Sequence, residues 1–238
     1  MIMERISKNA LHLSLLLMCS MPSMALADKL SCPAFIEPDK AKLEWIAPYM
    51  IFNGVPMSVK RFDSEQSPAA ILAFYRRAWA QPAGQQQPVE NDVPPWQTIG
   101  VVQGNCFFAV QVQSANLSGS TGLLSATQGT DKPRIIPAEK ALPMMTGSQI
   151  INDIEHRDPG KTARTLLLSN TFSPEANADF YRRMLTDQGW KILSSHQMRT
   201  AKGPGITIVL KRQLAETNIV ITREGSNTMI LANLVDKP

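Results

Sequence analysis

A Ser-Pro pair opens the same eleven-residue frame at two places in the 238-residue chain. Ser67-Pro68 leads to Phe74-Tyr75-Arg76-Arg77, and 106 residues later Ser173-Pro174 leads to Phe180-Tyr181-Arg182-Arg183. A period of that size means the chain has to be read as two copies of one unit before any fold is assigned. The local chemistry of each frame is helical. The Ser hydroxyl accepts a hydrogen bond from a backbone N–H that the first helical turn leaves without a partner. The proline after it gives up an N–H that had no partner there and fixes a helical φ. Ile71, Phe74, Tyr75 and Ala78 fall on one stripe in the first copy; Ala176, Phe180, Tyr181 and Met184 do so in the second. This spacing predicts helices over 68–80 and 174–188, ended by Pro82 and Gly189 respectively.

The arginine pairs stand towards the C-terminal half of each helix, where positive charge suits the helix dipole. Two readings of Phe-Tyr-Arg-Arg follow. In one, the aromatics pack and the arginines are solvated. In the other, Tyr75, Arg76, Arg77, Tyr181, Arg182 and Arg183 form a binding surface for an acidic group or partner, because the planar guanidinium matches carboxylate and phosphate.

Strand-like alternation flanks both helices. It covers 57–62 before the first helix and 96–102, 106–113 and 122–127 after it. Around the second helix it covers 162–168, then 190–193, 205–210, 217–222 and 228–234, with an extra strand at 150–154. Residues 28–56, broken by Pro33, Pro38, Pro48 and Pro56, read as irregular, with 43–51 open to a short helix or strand and Trp45, Ile46 and Tyr49 as an apolar plug. The Gln- and Pro-rich stretch 81–95 reads as an exposed loop, and 156–160 as a polar turn. This order predicts an α+β fold of two tandem units, 28–127 and 150–238, joined by a linker over 128–149. Each unit is expected to be a helix packed on an antiparallel sheet, the two related by a pseudo-twofold axis. Whether they keep separate cores or share a sheet is left open by the pattern.

The frame S-P-x5-F-Y-R-R, followed by Leu185, Gly189-Trp190 and paired strands, resembles a small β-α-β-β-β module of uncharacterised bacterial envelope proteins and lipoproteins. The first copy departs from it, since no Gly-Trp follows its helix and Trp96 is displaced by the insertion. The resemblance implies an exported module and carries over no catalytic residue.

Export is written separately at the start of the chain. Arg5 and Lys8 precede an apolar run over 11–18, and Ala25-Leu26-Ala27 is a small-x-small cleavage site. Residues 1–27 therefore read as a secretory signal peptide. The apolar run falls short of the roughly 20 residues that a membrane span needs. The expected location is the periplasm or the cell exterior. There Cys32 and Cys106 are an even pair in an oxidising compartment and read as a disulfide. A formal net charge of +4 permits attraction to an anionic envelope surface but is no nucleic-acid signature.

Catalytic patterns are sparse. After the signal only His156 and His196 remain, without H-x-x-x-H spacing, so neither a metal site nor a cofactor is expected. Ser194 or Ser195 with His196 and Asp187 is the one nucleophile set that can be assembled, and no G-x-S-x-G elbow accompanies it. The reading is a non-enzymatic exported binding or adaptor protein with envelope proteins as partners, an accessory subunit of a pilus, secretion or transport assembly. The alternative is a small-ligand or lipid carrier; a hydrolase comes third. Intact-mass analysis of the exported protein is expected to place its first residue at Asp28, and a mature chain that retains Met1 would refute the signal peptide.

Overall fold

The computed structural model describes residues 29–81, 86–115, 118–133, 137–158, 160–201 and 203–236. Residues 1–27, read as a signal peptide, and Pro82 lie outside them. The elements run β1 (Lys42–Phe52), β2 (Val55–Ser64), α1 (Pro68–Ala78), β3 (Val89–Val93), β4 (Trp96–Gln103), β5 (Cys106–Ser114) and β6 (Ser120–Gln128). A single 3-10 turn (Ala138–Lys140) follows. Then come β7 (Gln149–Asp158), β8 (Lys161–Asn170), α2 (Pro174–Asp187), β9 (Lys191–Thr200), β10 (Gly203–Arg212), β11 (Ala215–Glu224) and β12 (Asn227–Asp236). Both helices start as the sequence dictates: Ser67 and Ser173 accept from the N–H groups of Ala70 and Ala176 at 3.3 and 3.1 Å.

The α+β expectation of two helix-on-sheet units is overturned. All twelve strands belong to one sheet, in the order β3-β4-β5-β6-β2-β1-β7-β8-β12-β11-β10-β9, and the fold is mainly β. The two helices contribute only 11 and 14 residues. The units merge because β1 and β7 pair antiparallel through Met50–His156, Ile51–Glu155 and Phe52–Ile154. Asn53 extends this joint past the end of β1. Its backbone N–H donates to the Asp153 carbonyl at 2.8 Å, and its side-chain oxygen accepts from the Asp153 N–H at 2.8 Å. It holds φ = 48°, a left-handed conformation that asparagine tolerates better than most residues.

Four local expectations change with the fold. Residues 43–51, left open as a short helix or a strand, lie in strand β1, and the proposed plug is not buried: Trp45 and Ile46 are 49 % and 54 % exposed. Trp45 is instead covered by Lys60, whose Nζ sits 4.4 Å from the ring centroid. The supposed loop 81–95 contains the edge strand β3, exposed along its whole length. Residues 156–158 continue β7 rather than turning. The linker is also no mere crossing, since Ala138 and Leu142 are buried in the second core.

Register places the two helices on one side of the sheet. Glu155 opposes Arg164, which shares its face with Leu166 and Leu168 beneath α2. Ile51 opposes Glu155 on one side and Pro56 on the other, and Pro56 shares its face with Phe62 beneath α1. Each helix covers its own apolar cluster, around Tyr75 and Phe62 in the first half and around Tyr181, Leu166 and Ile208 in the second. A third, small cluster of Ala47, Met50 and Val59, with Ile154 packed against it, backs the joint from the other face.

The N-terminal segment is stapled to the first cluster by the Cys32–Cys106 disulfide. The bridge spans 74 residues, a loop whose closure stabilises by roughly 4 kcal/mol in the chain-entropy account. Replacing Asn53 by Ala removes the side-chain half of the clamp and is expected to cost about 1–2 kcal/mol. Hydrogen exchange is the measurement: the Asp153 and Ile154 amides should speed up while those of Leu166 and Ile208 stay protected.

Candidate functional site

The six residues nominated from the repeated frame do not converge on one surface. Tyr75 and Tyr181 are 1 % and 0 % exposed, each inside its own core. The Tyr75 hydroxyl donates to the Ile36 carbonyl at 2.8 Å, whereas the Tyr181 hydroxyl is buried with no partner among the described residues. Burial pushes both phenols well above their ordinary range, and the neighbouring Glu37 carboxylate adds to this at Tyr75.

The arginines act as struts. Arg76 donates twice to Glu90 on β3, at 2.5 and 2.7 Å, and this hydrogen bonding holds the Glu90 carboxyl below its usual range. Arg182 bonds Asp179 at 2.8 Å and reaches Ser195 Oγ on β9 at 2.9 Å. The first arginine of each frame thus ties its helix to the edge strand of its own half. Arg183 donates only to the Asp179 carbonyl, at 3.4 Å, and Arg77 is exposed without a partner among the described residues.

Those two edges are chemically unlike. β3 has five residues, carries Glu90 and Asp92, and runs into Pro94-Pro95, features that blunt a sheet edge. β9 has ten residues, contains no proline and no acid, and carries Lys191, His196 and Arg199. β10 pairs with one side of it; the other side is the end of the sheet. Leu193 and Met198 on this strand are 60 % and 40 % exposed. Ser195 opposes Ile208 and faces α2, while Ser194 and His196 oppose Val209 and Thr207 and face away. Of the two serines considered from sequence only Ser194 therefore shares the histidine's face, and Asp187, on α2, stands on the other side of the sheet.

A second feature is a cleft of about 380 Å³ at the end of the layer between α2 and the sheet. Trp190, just after α2, stands on one side with the Arg212 guanidinium 4.8 Å from its ring centroid. The sheet supplies Glu155, Arg164, Leu234 and Asp236, and the 3-10 turn supplies Lys140. Arg164 is engaged by Asp153 through bonds of 2.9 and 2.6 Å, which raise its already high pKa. His156 also lines the cleft but hydrogen-bonds no carboxylate among the described residues. Nor, among those residues, do three His, Cys, Asp or Glu side chains gather to hold a metal. No described helix is long and apolar enough to cross a membrane.

Sequence reasoning missed both features for one reason. β9 lies at an edge and is exposed on both faces, so it lacks the alternation that marks a half-buried strand, and only its first residues were legible. The cleft joins residues from β7 to β12 whose proximity follows from sheet order alone.

No protein-family model and no curated protein matches the chain. Among solved structures it is similar to the immunity protein TplEi of the T6SS from Pseudomonas aeruginosa, complexed with "L" peptide. The identity is 10 %, the likeness covers 85 % of this chain and 84 % of that one, and the TM-score is 0.27. A likeness of that order constrains neither fold nor function.

The two tyrosines should respond differently to loss of the hydroxyl. Tyr75→Phe leaves the Ile36 carbonyl unpaired and is expected to cost about 1 kcal/mol, while Tyr181→Phe removes an unpaired hydroxyl at little or no cost. Each phenol ionises later in the folded than in the unfolded chain. Their contribution is therefore intact below about pH 10 and lost as the pH rises beyond it. Urea midpoints at pH 8 and pH 10.5 check both points, and each variant should show a shallower alkaline decline than wild type.

Proposed function

We propose that the chain is an exported, non-catalytic binding protein that takes up an extended segment of an envelope protein along β9. The observation that carries this is the open edge of β9: ten residues long, free of proline, and held against α2 by Arg182. Such an edge offers a row of backbone donors and acceptors to an added strand, and alternate side chains supply selectivity. Lys191, His196 and Arg199, with no acid on the strand, favour an acidic segment. The Cys32–Cys106 bridge supports work in an oxidising compartment, the periplasm or the cell exterior. A role as accessory subunit of a pilus, secretion or transport assembly follows from that location and from the resemblance of the repeated frame to envelope modules.

A photo-crosslinking residue placed at His196 in the exported protein tests the reading. The expected result is a crosslink to one partner, mapped by mass spectrometry to an extended acidic stretch. Reversing Lys191 and Arg199 to Glu should abolish the crosslink without lowering the melting temperature. Crosslinks that survive the reversal, or that join only copies of this chain, would sink the proposal.

A further inference from the structure

The cleft beside Trp190 carries charges that the fold itself does not use. Arg212 spends one N–H on the Gln188 carbonyl at 3.2 Å and lies over the Trp190 ring, and it has no carboxylate partner among the described residues. Lys140 lines the same space, also without a described partner. Asp236, at the end of β12, is the facing acid left for a ligand; Glu155, on β7, also lines the cleft but is already engaged. Ala141, Ala215 and Leu234 provide an apolar middle. Arg164 is closed on Asp153 and needs nothing further. Thr217, the cross-strand neighbour of Leu234, has a buried hydroxyl with no partner among the described residues.

These groups select among ligand classes by elimination. A simple anion satisfies Arg212 and Lys140 but meets Asp236. A simple cation has the reverse difficulty, and a hydrocarbon leaves all three charges unanswered. A zwitterion with an apolar centre satisfies every group.

Register sets its length. Arg212 opposes Ala215, and Glu216 opposes Val235, so one residue further out brings Ala215 level with Asp236. Arg212 and Asp236 therefore stand on one cross-strand row, two strand spacings or roughly 10 Å apart. An extended chain covers about 3.3–3.6 Å per residue, so three residues bridge that gap.

The first half shows what kind of chain such a place accepts. There the first residue of β5, Cys106, is bonded to Cys32, and the last residue of β6, Gln128, accepts the Ser31 N–H at 2.9 Å. Leu30 is buried beside them. In the second half the first residue of β11, Ala215, and the last of β12, Asp236, line the open cleft instead.

We propose that this cleft binds a short extended peptide with free termini and an apolar side chain, its carboxylate on Arg212 and Lys140 and its ammonium on Asp236. The site is independent of strand addition at β9. The test is calorimetric titration of the full mature chain with the tripeptide Ala-Leu-Ala, with its C-terminal amide and with its N-acetyl form, against wild type, Arg212→Gln, Lys140→Gln and Asp236→Asn.

The free tripeptide should bind wild type, and amidation or Arg212→Gln should each weaken it by about tenfold. The two changes should not compound, because both delete one contact; acetylation and Asp236→Asn should behave likewise as a pair. Melting curves of each variant show that it is folded, and Lys140→Gln, on a separate element, repeats the test should Arg212→Gln fail to fold. Absence of binding, equal affinity for acid and amide, or amidation and substitution effects that simply add would each overturn the proposal.

Discussion

Three residue pairs between β1 and β7, with the Asn53 clamp beyond them, are the joint on which the molecule depends. Without it each half would expose a first strand as a free edge in the middle of the molecule. With it, two sets of strands become one sheet whose ends are β3 and β9. An unpaired edge leaves backbone donors and acceptors unsatisfied by protein, and merging two such edges removes both liabilities. The small apolar cluster around Met50 and Val59 supports the joint from the face that carries no helix.

The consequences reach the outer strands. Since the inner edges are consumed, the continuous edges among the described residues are the outermost strands, and each is tethered to its helix by the first arginine of the repeated frame. On the β3 side the tether is a bidentate ion pair, and a short acidic strand ending in prolines closes that edge to further pairing. On the β9 side Arg182 reaches a serine hydroxyl, and the strand stays long and basic. Equivalent residues in the frame therefore stand beside one short acidic edge and one long basic edge.

A similar asymmetry runs through the two cores. Tyr75 and Tyr181 occupy matching places in the frame and both are buried, yet only Tyr75 finds a carbonyl, supplied by Ile36 of the N-terminal segment. That segment is held down by the disulfide and fills its end of the first half. The segment at the corresponding end of the second half, a 3-10 turn with buried Ala138 and Leu142, has no such staple, and an open cleft lies beside it. Divergence between the halves is thus concentrated where the chain packs against itself rather than in the helices.

The sequence by itself determined the helices, their caps and the alternating strands around them. Each of these rests on contacts between residues close in the chain: Ser67 with Ala70, Ser173 with Ala176, and apolar residues two or four apart. It also held the cysteine pair, Cys32 and Cys106, which the structure joins. Only the tertiary structure decided that there is one sheet, that Trp45 lies outside, that Arg76 and Arg182 are struts, and that residues from Lys140 to Asp236 share a cleft. The physical reason is range. The joint that merges the halves is set by contacts about a hundred residues apart, and an edge strand exposed on both faces has no period for the sequence to show.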